Sequence, residues 1–310
     1  VTASDEQQRR EASCQADGFP TRVAGAAAAA PPAPATRESA IRDAQSAILL
    51  YLHYAAASVR GQMQYRFSFA TQTLAQFLVT GVEFAAIWAL FDRFGRLRDW
   101  SLAEVALFYG MVNVAFAVAD ITSRGFDTFA GMVRRGEFDR LLLRPLPAAF
   151  QLAAQGFLLR RMGRLVQAAA VLGWAVAVLP VRWTAAKVQL TAGAIFGAAC
   201  LFYGLIVLQA TAAFWTVETL ELMNVLTYGG TETMQYPLSI YRRWLRRLFT
   251  YAVPLACVNY FPVLAILDRP SDAPAAAALR WLSPAVGVLF LLLALRVWGF
   301  GVRHYRSTGS

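Results

Sequence analysis

A single lysine, Lys187, occurs in 310 residues, and Val188 follows it where a phosphate-binding loop needs serine or threonine. No nucleotide-phosphate cradle can be drawn on this chain, which is therefore not expected to hydrolyse ATP by itself. Cysteine is nearly as scarce. Cys14, Cys200 and Cys257 are far apart and odd in number, which suggests neither a disulfide framework nor a zinc site. The two histidines, His53 and His304, stand alone near predicted membrane boundaries and are assigned no metal. HExxH, GxSxG and DxD patterns are missing, as is any repeat-related pair of broken helices. Nothing in the motifs thus points to an intramembrane protease, a hydrolase, a glycosyltransferase or a secondary transporter.

Charge is also in short supply. Only 15% of residues are charged against 57% apolar, a balance that a soluble domain of this length would struggle to keep in solution, so the chain reads as an all-α polytopic membrane protein. The net charge of +10 is almost wholly arginine, clustered between apolar runs and not gathered in one stripe. That pattern fits positive-inside topology better than nucleic-acid binding.

Residues 1–45 are rich in Ala, Pro, Ser, Gln and Arg and include GAAAAAPPAPA, a composition too poor in large apolar side chains to offset chain entropy; a disordered cytosolic tail is expected. Residues 46–310 form the membrane domain. Within it, residues 47–66 pattern as an interfacial amphipathic helix or as the cytosolic extension of the first span. Six spans are predicted, over about residues 69–91, 104–122, 161–180, 188–214, 248–267 and 283–302. The third is the apolar part of a helix from about residue 150, whose Arg160, Arg161 and Arg164 snorkel to the inner surface. Gly193 and Gly197, with Ala194 and Ala198, suggest a close-packing seam on the fourth span. With both termini inside, the two internal loops, the inner end of the third helix and the C-terminus carry fourteen arginines, against seven Arg or Lys in the three external loops.

Three polar residues inside spans are candidates for a pathway or interface: Glu83, Asn113 and Asp120. A central carboxylate costs about 2.5–3.5 kcal/mol on insertion scales, so Glu83 should face protein or water. Asp120 lies where a pair with Arg164 is conceivable. Between spans two and three, residues 124–147 (RGFDTFAGMVRRGEFDRLLLRPLP) form a basic loop whose middle reads as a short amphipathic helix, closed by Arg-Pro-Leu-Pro.

Three stretches resemble the membrane subunits of type-2 ATP-binding-cassette exporters, particularly a bacterial permease branch with six spans. They are GEFDRLLLRPLP (residues 136–147), YPLSIYRRWLRRLFTYAVPLACVNYFP (236–262) and GVRHYRSTGS (301–310). The resemblance implies a permease of the bacterial inner membrane that pairs with a second permease, identical or related, and is driven by two separate ATPase subunits. ATP and Mg would be held by those partners, with no cofactor in this chain. It further implies that the loop is a cytosolic coupling helix, with Phe138 and Leu141 as an apolar plug and Gly136, Glu137, Asp139, Arg140 and Arg144 at its rim. From a different class, a membrane-embedded enzyme acting on lipid through Glu83 or Asp120 is the alternative; an ATPase-independent channel finds no filter or charged ring in the sequence.

Two arguments conflict over YRRWLRR (241–247). Four arginines favour the cytosolic side, which makes 248–267 the fifth span. Family-like permeases instead often carry a re-entrant hairpin after the fifth span, which would make 214–236 cross with its glutamates. The charge rule favours the cytosolic placement.

Overall fold

The computed structural model describes residues 49–305, apart from 52, 55, 145, 157, 217–219 and 271–275. The expected tail at residues 1–45 lies outside the described residues. Among these the chain is all-helical, with no strand beyond an isolated bridge between Leu97 and Trp100.

A first helix, α1 (residues 49–63), ends in a turn at Gln64 and Tyr65 before α2 (Arg66–Phe94) begins, so the two are separate helices. Gly95 stops α2 with a positive φ of 75°, a backbone conformation that glycine adopts without steric cost. The following helix, α3 (Leu102–Thr122), starts where the sequence offers Ser-x-x-Glu. The Glu104 backbone N–H donates to Ser101 Oγ (3.4 Å) and the Ser101 N–H donates to Glu104 Oε2 (2.8 Å), which satisfies two donors that a helix start otherwise leaves orphaned. Four short helices follow: α4 (Arg124–Asp127), α5 (Phe129–Arg134), α6 (Phe138–Leu142) and α7 (Ala148–Ala154). Then come α8 (Met162–Val178), α9 (Ala185–Ala212) and α10 (Leu220–Met234). After α11 (Arg243–Arg247) and a π-helical turn over Leu248–Ala252, the short helices α12 (Leu255–Val258) and α13 (Tyr260–Ile266) lead to α14 (Ala276–His304).

Four helical stretches are long and apolar enough to cross a membrane: α2, α3, α9 and the Pro284–His304 part of α14. Arg243–Ala252 and Leu255–Ile266 pass that test only as a pair bent by 77°, and α8 is a shorter apolar helix. The strongest packing joins α9 to α14, α3 to α8, α9 to α3 and α2 to α8. Small residues set how close these pairs come. A Cβ on Gly287 of α14 would stand 1.8 Å from the Gly197 carbonyl oxygen of α9, and one on Gly163 would stand 2.0 Å from the Thr73 oxygen of α2. Gly193 meets Pro284 and Gly204 meets Phe290, so the seam anticipated on α9 is the face against α14.

Contacts sort the connections into two ends. At one end Leu158 N–H donates to the Ile121 carbonyl (3.1 Å), and the 124–161 segment, Phe214 and Tyr305 come together. At the other, Arg269 pairs with Glu104 (2.7 Å) and stacks on Trp100, while Lys187 pairs with Asp268 (2.6 Å). The arginine-rich 241–247 stretch belongs to this second end. Just before it, Ser239 accepts hydrogen bonds from Arg98 Nη1 through its carbonyl (2.8 Å) and from Trp100 Nε1 through Oγ (3.1 Å).

The favoured placement of that stretch beside the 124–147 loop is thereby corrected. From Gln209–Asn224 (2.9 Å) through the Tyr228–Phe116 ring contact to Ser239 at Trp100, residues 220–240 run antiparallel to α3 along its full depth. The segment at 248–267 does not traverse the bundle. It dips to the level of Gly230, where Leu255 and Phe249 pack, and returns to the end it left. Pro254 breaks it, since it cannot donate a backbone hydrogen bond; Pro262 lies in the first turn of α13, where none is needed.

The seam yields a paired test. Gly287→Ala should lower stability by about 1–3 kcal/mol, because backbone must move to admit the methyl group. Gly173→Ala, with nothing within 4 Å of the added carbon, should be neutral or up to about 1 kcal/mol stabilising. Thermal unfolding of the detergent-solubilised chain reads both, and equal melting points would mean that α9 and α14 do not meet this closely.

Candidate functional site

The 124–147 loop is built from turns that its own residues dictate. Gly136, at φ 65°, ends α5 in a Schellman motif: its N–H donates to the Val133 carbonyl (3.1 Å) and the Glu137 N–H to the Met132 carbonyl (3.0 Å). Gln151 then clamps the loop's exit by donating from Nε2 to the carbonyls of Leu141 (3.0 Å) and Leu146 (2.8 Å). At the entry, Gly125 lies so near α7 that a Cβ there would stand 2.0 Å from the Leu152 oxygen.

Between these clamps the loop is a wedge with one apolar side. Phe138 is fully buried, and its ring contacts Phe129 and Tyr305 edge-on (centroids 5.0 Å each) and Phe214 (5.7 Å). Phe129 in turn meets Trp298 (4.8 Å), and Phe126 does so from the other side (5.3 Å). This cluster joins the loop to the ends of α9 and α14. Such aromatic pairs contribute about 0.5–1.5 kcal/mol each beyond the area they bury.

Phe138 and Leu141, expected to form an outward plug, thus point into the subunit. An amphipathic helix in a loop has two surfaces to choose between, and here its apolar side covers the chain's own aromatic core. The apolar side chains that do face out are Leu142 and Leu143, the latter 87% exposed. Around them lie Arg134, Arg135, Glu137, Arg140 and Arg144, all exposed, with Gly136 and Asp139 partly so. Arg135 and Glu137 form a surface ion pair (2.7 Å), whose hydrogen bond holds the Glu137 carboxyl below its ordinary range. Asp139 sits beside the Tyr305 phenol, whose proton affinity is raised by burial first and by that carboxylate second.

A partly buried polar cluster ties the loop to the helices. Arg161 pairs with Asp120 at the end of α3 and reaches Asp127 of α4 (3.7 Å). Burial pushes the Asp127 carboxyl up to about 6, against the opposing field of Arg124. Deeper in, Arg164 donates to Asn113 Oδ1 from Nε (3.2 Å) and Nη2 (2.8 Å), stacks on Phe116 (4.7 Å) and lies 4.0 Å from Glu232. Asn113 is oriented for this by its own Nδ2 donating to the Tyr109 carbonyl (2.9 Å). Glu83 has a buried oxygen with no hydrogen-bond partner and lies within electrostatic reach of Tyr109 and Glu232.

The conceivable pair of Asp120 with Arg164 is replaced by Asp120 with Arg161. Antiparallel helices pair residues of roughly constant index sum, so Arg164, nearly a turn further along α8, meets a residue deeper in α3. Asn113 is that residue. Sequence reasoning missed Arg161, Gln151 and Glu232 as partners because their roles need the register between helices. Among the described residues no group of three or more His, Cys, Asp or Glu could hold a metal ion.

Against known families, residues 77–309 match the family model described as ABC-2 family transporter protein. No curated protein and no solved structure matches the chain.

The wedge predicts a split between neighbouring positions. Phe138→Ala should cost about 3–5 kcal/mol, as for other buried aromatic truncations. Leu143→Ala should stay within about 0.5 kcal/mol, as surface changes do. Chemical or thermal unfolding of the two variants checks this, and similar losses in both would refute the inward orientation of Phe138.

Proposed function

The chain belongs to the ABC-2 family of transporter proteins, and from that premise we propose that it is the permease subunit of an exporter, driven by ATPase subunits that dock on its 124–147 loop. Family membership makes it a transmembrane transport protein that works with ATP-binding-cassette subunits. Export as the direction, two ATPases and a second permease, identical or related, are the further terms of the proposal. ATP and Mg act on the partner subunits.

The wedge geometry is the observation that carries this reading. One side of the loop is locked into the aromatic cluster that holds the ends of α9 and α14, and Arg161 bridges it to α3. The other side offers exposed Leu142 and Leu143 ringed by charge, an apolar centre with a polar rim. A cytosolic subunit that shifts against this rim moves helix ends as a rigid body, which suits a chain driven by a partner's ATP site. Glu137, Asp139, Arg140, Leu142, Leu143 and Arg144 are the proposed coupling residues, positioned by Gly136, Phe138 and Leu141.

Six crossings follow if α2, α3, α8, α9, the 220–240 segment and α14 each traverse the bilayer. Both chain ends then lie with the loop in the cytosol of a bacterial cell, α1 lies along the inner surface, and the 243–266 hairpin enters from outside. Glu232, at mid-depth with its side chain 57% exposed, supports the second permease. A carboxylate there is disfavoured against lipid by about 2.5–3.5 kcal/mol and needs a protein or aqueous neighbour. The alternative of a lipid-modifying enzyme gains nothing, since Asp120 is held by Arg161 and Glu83 stands beside helix-packing residues.

Two measurements test the proposal. Arg140→Glu with Arg144→Glu should fold normally, since both side chains are exposed, yet reduce co-purification with the ATPase and ATP-driven transport by at least about tenfold, as rim charges govern encounter. Undiminished assembly and transport would remove the loop from the mechanism. For the topology, Trp244→Cys in a chain with Cys14, Cys200 and Cys257 replaced should react with a membrane-impermeant thiol reagent on intact cells, whereas Leu143→Cys should react only after permeabilisation. The reverse pattern would invert the assignment of the two ends.

A further inference from the structure

At the end of the bundle opposite the 124–147 loop, the 243–266 hairpin borders an open cavity of about 310 Å³ lined by Arg243, Arg246 and Arg247 together with Tyr251, Phe261 and Leu264. The arginines stand at i, i+3 and i+4, so one helical face turns all three guanidinium groups to the same space. Among the described residues no acidic side chain lines it. Among the described residues their side chains make no hydrogen bond and no ion pair, and two carboxylates at this end are engaged elsewhere, Asp268 by Lys187 and Glu104 by Arg269. Like charges so spaced repel one another, and four arginines from 242 to 247 on an outer face run against the charge bias that orients membrane proteins. Neither cost serves folding.

We infer that this cavity is a binding site for the anionic headgroup of an amphiphile, with a phosphate or carboxylate held by Arg243, Arg246 and Arg247. Guanidinium forks match the paired oxygens of such groups and bind them through charge-assisted hydrogen bonds. Apart from Thr250, whose hydroxyl donates to the Arg246 carbonyl, the remaining wall is mostly apolar and aromatic: Phe261 and Leu264 are buried, and Tyr251 is 83% exposed. A free inorganic anion would leave that wall unused. A headgroup still attached to its hydrocarbon would place its polar end on the arginines and its apolar end on Tyr251 and the lipid beyond. The volume admits a headgroup and not a whole lipid. The face on which the site lies rests on the topology proposed above, while the chemistry of the site does not, and it requires no ATPase.

Binding of fluorescently labelled phosphatidylglycerol to the purified full chain in neutral detergent, followed by anisotropy and compared with labelled phosphatidylcholine, tests the site. Preference for the anionic probe is expected, and Arg243→Gln, Arg246→Gln and Arg247→Gln together should weaken it by about tenfold or more while leaving the neutral probe unchanged. Should the triple variant fail to fold, the exposed single changes Arg243→Gln and Arg247→Gln carry the same test, each with a loss of about threefold. Inorganic phosphate separates the sources of the anion. Little displacement by millimolar phosphate is the result for a lipid-like ligand, and full displacement would overturn the amphiphile in favour of a free oxoanion. Equal affinity for the two probes, or undiminished binding in the variants, would overturn the site itself. Since the purified permease alone is used, these outcomes are independent of whether the coupling loop or the topology proves correct.

Discussion

The cost of an unpartnered charge within an apolar helical bundle is the constraint on which the rest of this structure depends. Arg161 and Arg164 enter the bundle near one end, and each is neutralised or hydrogen-bonded by a residue of α3 at its own depth: Asp120 for the first, Asn113 for the second. Those contacts favour the register of α8 against α3, since a slip of one turn would satisfy at most one of the two guanidinium groups on α3 in a medium that tolerates unpaired charge poorly. With that register set, Gly110 of α3 falls against the backbone of Leu172 on α8, and the Asp120–Arg161–Asp127 bridge ties the loop to α3.

The loop shows how one sequence pattern serves two surfaces. Its amphipathic helices place Phe129 and Phe138 inside and leave the charged residues outside, so the apolar side stabilises the subunit while the polar side remains available. A docking element that relied on Phe138 for contact would have to expose it to solvent in the free chain. By burying Phe138 and presenting Leu142 and Leu143, the loop keeps its own fold independent of a partner. The same division links the rim to α9, α14 and α3 through close-packed rings and an ion bridge.

The opposite end of the bundle follows a different logic. There the ion pairs Lys187–Asp268 and Arg269–Glu104 close the turns, and Trp100 and Arg98 fasten the chain at Ser239. Among the described residues, arginines 242, 243, 246 and 247 have no acidic side-chain partner. The two ends are thus chemically distinct: one carries exposed Leu142 and Leu143 ringed by charge, the other an electropositive hollow over apolar residues.

The amino-acid sequence by itself determined the class of the molecule. Runs such as 69–91 and 188–214 are too apolar for water, Ser101 with Glu104 marks a helix start, and the glycines of α9 mark a close seam, because each of these is a local preference that needs no partner. Residues 136–147, 236–262 and 301–310 carried the family resemblance, and the match over residues 77–309 agrees with it. Only the tertiary structure decided which way Phe138 faces, which arginine takes Asp120, and at which end YRRWLRR lies. Those three are questions of register and depth. The charge rule weighs arginines one loop at a time, whereas the path of residues 220–240 is set by long-range contacts, Tyr228 on Phe116, Glu232 near Arg164 and Ser239 on Trp100, that no local pattern encodes.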